Sequence, residues 1–477
     1  MDIVRKELFG ALGNDADAES QRMAKYCQRM LSLLRHQLVS APAIQRRALT
    51  RIDGLLDSLC AEVSAIDGGM MLSAALIRHV RKDPDYEQAE LALQHAVKLL
   101  LSAGTSESTQ RLLADISSLT REFEFESYQV TKDDELQTEE PETKEDALNA
   151  SQIQALEFWL RQKFPSENQL VTGPIKNIVG GGSKKTLIVG LVNTEKLPAE
   201  IVLRVDREDG VVGSTVVDEY FLIGLMYQAG MPVPQPYAME TDKDILGAPF
   251  VLLERCEGHN IGDWTEVNEP SRGFALDLAQ ALAKLHQISV DKAGDRLAGT
   301  NEATSERMKR EIAGFENNWR ASGQPMVALE LAYAWLREHI DFADGQRAIV
   351  HGDVGCHNML GTKQHLTALL DWETAVAGNP AQDLTYAKHT VEQMMPWDEF
   401  LAEYERAGGV LPSDNEMDFY SLWRGVFRMN FQTMARSFFQ SGLSTSLIHA
   451  YASQYLYRNV AYDLHETVAR LYGVRLV

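Results

Sequence analysis

Two segments decide how this chain is read: Ala348-Ile349-Val350-His351-Gly352-Asp353-Val354-Gly355-Cys356-His357-Asn358 and, soon after it, Leu369-Leu370-Asp371-Trp372-Glu373. The apolar runs Ala348 to Val350 and Leu369-Leu370 have the character of short strands, separated by a hairpin-like turn through Gly361 and Lys363. Asp353, Asn358 and Asp371 therefore emerge where strands end, the place from which a rigid scaffold presents side chains on loops. One carboxylate to orient an attacking hydroxyl, with an amide and a second carboxylate to hold metal ions, is the donor set that phosphoryl transfer from Mg-ATP requires.

At 477 residues the chain has room for roughly two to three domains, and 45% hydrophobic with 24% charged residues is ordinary for a globular protein. The net charge of -22 argues against nonspecific binding to nucleic acid or an anionic membrane, because no cationic field is available. Cys27, Cys60, Cys256 and Cys356 are widely spaced and form no C-x-x-C pair, which fits a reducing compartment better than a disulfide framework or a zinc site. Charges occupy Met1 to Gly10 where a signal peptide would be apolar, and no apolar run reaches about 18 residues. A cytoplasmic protein is expected.

Residues 1–128 read as a helical accessory domain. Ile52, Leu55, Leu56, Leu59 and Val63 make one apolar stripe, Leu112, Ile116, Leu119 and Phe123 make another, and Pro84 sits in a break between helices. His36, His79 and His95 are scattered and read as structural or surface residues. Residues 129–149 read as an acidic linker, since Asp133, Asp134, Glu135, Glu139, Glu140, Glu142, Glu145 and Asp146 face only Lys132 and Lys144. Such a linker lets the flanking parts be separate domains, so a fragment starting near Leu148 is expected to fold alone. The helical part is a candidate for binding a protein partner or for self-association.

Beyond the linker, helices are expected over Ser151 to Phe164 and Thr215 to Gln228, and strands over Thr186 to Leu191, Glu200 to Val205 and Ala248 to Glu254. From Arg272 the chain reads as almost wholly helical until the catalytic hairpins. Strands first and helices after give an α+β class. Gly180-Gly181-Gly182-Ser183 could bring backbone N–H groups close to phosphate, although a plain hairpin turn reads equally from these residues alone. Arg204 is a lone cation in an apolar strand, and Glu219 on the next helix is its plausible partner. Gly230, Pro232, Pro234 and Pro236 then stop the helix, and the strand from Pro249 ends at Glu254-Arg255-Cys256-Glu257-Gly258, where backbone groups can meet a base edge.

Taken in order, these features resemble the aminoglycoside phosphotransferase family, the choline and homoserine kinase-like group. Leu278 to His286 looks like that family's helix before the catalytic core, and Asp371-Trp372-Glu373 through Gly378-Asn379-Pro380 to Asp383-Leu384 is similar to its metal-site segment. The spacing of Asp353 and Asn358, five positions, matches the kinase catalytic loop. Arginine at 204 in place of lysine, with Gly247-Ala248-Pro249-Phe250, looks like the branch of kinase-like domains fused to acyl-CoA dehydrogenases. The resemblance covers about residues 150 to 445. It implies a protein-kinase-like two-lobed domain over 150–477, with an N-lobe at about 150–256 and a C-lobe at about 257–477.

It further implies ATP and Mg2+ as cofactors and a small-molecule hydroxyl as acceptor. Asp353 would be the catalytic base, Asn358 and Asp371 the magnesium ligands, and Arg204 the phosphate clamp with Glu219 as its partner. Gly181, Gly182 and Ser183 would cover the nucleotide, and Glu254 to Cys256 would form its hinge. His351 is expected to brace the loop rather than act as an acid, Cys356 and His357 need no role, and Glu373 is either near the second metal or simply exposed. On the helix from about Glu416 to Ser441, Arg424 and Arg428 at i, i+4 beside Trp423, Phe427 and Phe431 suit an anionic or acyl-bearing hydroxy compound. Alternatively this helix packs its aromatics into the core and pairs its arginines with Glu416, Asp418 or other surface acids. A catalytically silent nucleotide-binding scaffold is the alternative from another functional class.

Overall fold

A computed structural model describes residues 41–66, 69–103, 106–132, 148–178, 184–206, 215–262, 267–440 and 456–473. The chain begins there with helices α1 (Ala41–Ser64), α2 (Gly69–Ile77), α3 (Tyr86–Ser102) and α4 (Glu107–Lys132). The stripes buried in α1 and α4 are those expected, with Leu56, Leu59 and Val63 fully covered and Ile116 nearly so. Asp85, just after Pro84, caps α3 by accepting from the Gln88 N–H at 3.1 Å. Helix α4 continues to Lys132, past the expected start of the linker, and residues 133–147 lie outside the described residues.

Helix α5 (Ala150–Lys163) opens on a capping box between Asn149 and Gln152. Strands β1 (Val171–Ile178), β2 (Lys184–Val192) and β3 (Glu200–Asp206) lead to helix α6 (Val216–Gln228), then β4 (Pro236–Glu240), the short α7 (Lys243–Leu246) and β5 (Phe250–Glu254). They form an antiparallel sheet in the order β1-β2-β3-β5-β4. Alternation along β3 sorts its side chains. Ile201, Leu203 and Val205 face α5 in a core with Leu156, Trp159 and Phe250, whereas Arg204 stands on the other face, toward α6.

The C-lobe holds β6 (His259–Asn260), α8 (Arg272–Leu285), α9 (Thr304–Ser322), α10 (Val327–Glu338), β7 (Ala348–Val350), β8 (Met359–Gly361), β9 (Leu366–Leu369) and β10 (Val376–Gly378). After them come α11 (Ala381–Glu392), α12 (Trp397–Arg406), α13 (Asp414–Gln440) and α14 (Tyr457–Leu471). Pairing of β7 with β10, and of β8 with both β6 and β9, brings the two catalytic segments together. The crossing between lobes is tight. Gly258 has φ 101°, and a Cβ there would stand 2.5 Å from the Gly361 carbonyl oxygen, so only glycine fits.

The N-terminal helices do not keep their apolar faces to themselves. Leu56, Leu93, Val97, Leu100 and Ile116 belong to one continuous core with Val327, Leu331 and Leu336 of α10, Trp423 and Val426 of α13, and Val460, Leu464 and Val468 of α14. Gln94, itself buried, crosses this seam by accepting from the Met326 N–H at 3.0 Å and donating to Glu330 at 3.4 Å. Acidic composition forecasts a solvated connection but says nothing about whether the faces on either side of it dock. Among the described residues no helix is long and apolar enough to cross a membrane.

Candidate active site

Strand β7 delivers His351 and Gly352 to a turn held from below by Asp383 on the first turn of α11. Asp383 is fully buried, and its two oxygens accept from the His351 and Gly352 N–H groups at 2.8 Å each. It also receives His286 Nε2 at 3.1 Å, and His286 Nδ1 meets the Tyr404 hydroxyl at 2.8 Å. Gly352 has φ 84°, where a Cβ would lie 2.6 Å from the Thr374 carbonyl oxygen. His351 is engaged by backbone at both ring nitrogens: Nε2 donates to the Leu370 carbonyl at 2.8 Å and Nδ1 accepts from the Asp353 N–H at 3.3 Å. A ring committed in this way orients the loop and carries no proton to spare.

Asp353 sits at the centre. Its Oδ2 accepts from Asn358 Nδ2 at 2.9 Å and faces His357 Nε2 at 3.3 Å, Oδ1 is buried, and the Tyr386 hydroxyl hydrogen-bonds to the same carboxylate. Burial alone would push this carboxyl up, but His357, with Tyr386 and His351 behind it, holds it well below the usual carboxylate range. His357 thus has a role that its place in the loop spacer did not suggest. The 3-10 turn Cys356–Asn358 folds it back onto Asp353 four residues earlier, while Cys356 is buried.

Across the cleft, Arg204 joins the two lobes. Its guanidinium lies 3.3 Å from Glu219 on α6 and 2.9 Å from Asp371 at the end of β9. Burial pushes the Glu219 carboxyl up to about 7, with Asp371 and Glu373 adding to the rise and Arg204 opposing it. Carboxylate oxygens of Glu219, Asp371 and Glu373 all lie within 4.8 Å of one another, an all-oxygen set of the kind that hard divalent cations take. Asp371 adopts the left-handed conformation at φ 62°, rare for a residue with a side chain, which aims its carboxylate at this corner.

A second cation went unnoticed in the sequence. Lys184, 4% exposed at the start of β2, lies 3.4 Å from Asp206, whose carboxylate also accepts from the Val216 N–H at 3.1 Å and so ties the start of α6 to the sheet. At the hinge, Glu254 bonds to Gln235 through both backbone and side chain, and Cys256 is half-buried with its thiol pushed up to about 12 by burial. Gly181, Gly182 and Ser183 lie outside the described residues.

Beside Asp353, Tyr386 of α11 leans over Gly355, and the Arg424 guanidinium of α13 stands 5.7 Å from its ring centre. Arg424 Nε is buried without a hydrogen-bond partner, and among the described residues no acid is paired with this side chain. Burial first, and then Arg428 beside it, pulls the Arg424 guanidinium down to about 10. Arg428 pairs with Asp463 of α14 at 2.9 Å. Neither arginine goes to Glu416 or Asp418, which are taken by Asn379 and Ser413 and by Arg470, respectively. Trp423 is a core residue stacked on Phe315, whereas Phe427 reaches toward Tyr386 with ring centres 6.5 Å apart.

The profile of the family described as "Phosphotransferase enzyme family" matches residues 175–423, more than half of the chain. Acyl-CoA dehydrogenase family member 10 of Mus musculus is 30% identical over 243 residues, which are 49% of this chain and 22% of that protein. Acyl-CoA dehydrogenase family member 11 of Gallus gallus is 28% identical over 175 residues, 35% of this chain and 22% of that one. The chain thus spans about a fifth of the length of these two relatives. Among solved structures, a protein of Ralstonia eutropha JMP134 assigned as an aminoglycoside phosphotransferase shares the fold with a TM-score of 0.52 at 19% identity, over 66% of this chain and 98% of that one.

Proposed function

Because the chain belongs to the phosphotransferase enzyme family, we propose that it transfers the γ-phosphoryl group of ATP to a hydroxyl of a small molecule, with Asp353 as the proton acceptor. The observation that carries this reading is the buried Asp353 carboxylate, held ionised by His357 and the Tyr386 hydroxyl, with Oδ1 engaged by neither Asn358 nor His357. An ionised oxygen with a free lone pair is what an incoming hydroxyl needs in order to be oriented and to give up its proton. Asn358 and His357 fix the other oxygen, Oδ2.

Arg204 is the cation for the phosphates. The desolvated Glu219 keeps it between the lobes, where α6 and the end of β9 converge. Asp371 and Asn358 would hold Mg2+; the carboxylate oxygens gathered here are those of Asp371, Glu373 and Glu219, a set that fits that ion. Held by these residues, Mg2+ would supply positive charge to offset what develops on the phosphates. The residues of the chain do the rest, which is mostly positioning and exclusion of water.

Arg424 defines the acceptor. A desolvated guanidinium next to Tyr386 calls for an anion, and the neighbouring Phe427 offers apolar contact, so the acceptor is an anionic or acyl-bearing hydroxy compound. The test is ADP release from Mg-ATP with hydroxy acids, their coenzyme A thioesters and aminoglycosides as acceptors. We expect Asp353→Asn to lower acceptor-dependent turnover by roughly 10² to 10⁴ with nucleotide affinity retained. Full turnover in that variant would remove Asp353 from the role, and efficient aminoglycoside phosphorylation insensitive to Arg424→Ala would remove the anionic acceptor.

A further inference from the structure

Helix α14 lies between the part of the molecule that bears the acceptor-facing arginines and the N-terminal helices. On one side it meets α13 at Gly425, the residue after Arg424. A Cβ at Gly425 would stand 3.0 Å from Leu464 Cδ1, so the two helices come as near as glycine allows. Asp463, the residue before Leu464, receives Arg428 Nη1 at 2.9 Å. On its other side α14 packs against α4. Glu466, one turn beyond Asp463, pairs with Arg121 of α4, and the Tyr462 and Phe125 rings are 5.5 Å apart. Val460, Leu464 and Val468 fill the core that both sides share.

We propose that the N-terminal helical layer is part of the acceptor side of the site, and that Asp463 is the positioning residue through which it acts. The inference rests on the phosphotransfer reading above, with Arg424 and Arg428 facing the acceptor. Two guanidinium groups at i, i+4 repel each other. Asp463 relieves that repulsion by taking up Arg428, which leaves Arg424 as the cation without an acid partner next to Tyr386. Asp463 can do this only where α14 holds it, and α4 fixes α14 through Arg121–Glu466 and the apolar seam. The placement of Asp463 therefore sets how many positive charges the acceptor meets.

Two sets of variants test this in the full chain. Asp463→Asn releases Arg428, so the kcat/KM for a coenzyme A thioester should rise several-fold relative to that for the corresponding, less charged free hydroxy acid. Arg121→Glu, which loosens the hold on Asp463, should shift kcat/KM toward the coenzyme A thioester in the same direction, and Arg121→Glu combined with Glu466→Arg should restore the wild-type preference. Dissociation constants for Mg-ATP should stay at the wild-type value in the Arg121 and Glu466 variants. Unchanged acceptor preference in either Asp463→Asn or Arg121→Glu would overturn the inference. So would a parallel loss of nucleotide affinity that the charge swap fails to rescue, which would mean only a damaged fold. If wild-type protein binds Mg-ATP yet phosphorylates none of the acceptors, the phosphotransfer reading fails, and this inference with it.

Discussion

Gly352 is the residue on which the catalytic turn depends most directly. Its positive φ and the nearby Thr374 carbonyl leave no room for a side chain, and its N–H is one of the two that anchor the turn to Asp383. Gly352→Ala is expected to cost on the order of 1–3 kcal/mol in backbone strain and to displace Asp353, lowering turnover far more than Mg-ATP affinity. A crystal structure and steady-state kinetics of the variant would check both. Asp371 offers a contrasting case. Its carboxylate meets Arg204 and borders the oxygen cluster, so Asp371→Asn should weaken nucleotide binding in the presence of Mg2+ by roughly tenfold or more while leaving metal-free binding nearly unchanged. Titrations with and without the ion decide it; equal losses in both would assign Asp371 to the protein scaffold alone. The residues that stand in local patterns, Asp353, Asn358 and Asp371, could be picked out from spacing. Asp383, His286 and Tyr404 could not be given their parts, because their hydrogen bonds join positions roughly 30 to 120 residues apart and leave no local mark.

Elements were legible to the degree that their packing is local. Strands β2 and β3 and helix α6 follow period and capping chemistry, with Thr215 capping α6 through a box with Asp218. Strand β1 was missed because Gly173 and Pro174 interrupt it; the sheet tolerates them since β1 is an edge strand with a register shift between Thr172 and Ile175. Helix α14 carries the clearest pH dependence. His465, 3% exposed with Nδ1 unpartnered, is pulled down by burial to about 3, so it stays neutral in the fold while the unfolded chain takes up a proton below about 6.5. The stability this neutral histidine contributes is present above pH 6.5 and is lost as pH falls toward 3, at up to about 1.4 kcal/mol per pH unit. His465→Leu should flatten the decline of melting temperature between pH 6.5 and 4. An unchanged acid slope would show that other groups dominate.

At the scale of the whole molecule, the apolar seam couples the N-terminal helices to the C-lobe. Burial of one Leu, Ile or Val stabilises by about 1.5–3 kcal/mol, so uncovering α10 and α14 removes an amount comparable with the roughly 5–15 kcal/mol net stability of a typical fold. A 148–477 fragment is therefore expected to aggregate or to bind a hydrophobic dye, whereas the full chain does neither. A monomeric fragment with the melting temperature of the intact protein would show that the seam is dispensable and the domains independent. The same seam sets a timetable for synthesis. Leu119 waits for Val460, and ribosomes add about 5–20 residues per second, so the stripe on α4 stays without its final partner for on the order of 20–70 s. During that interval the nascent chain exposes an apolar surface that the folded protein hides, and the late helix α14 is the step that covers it.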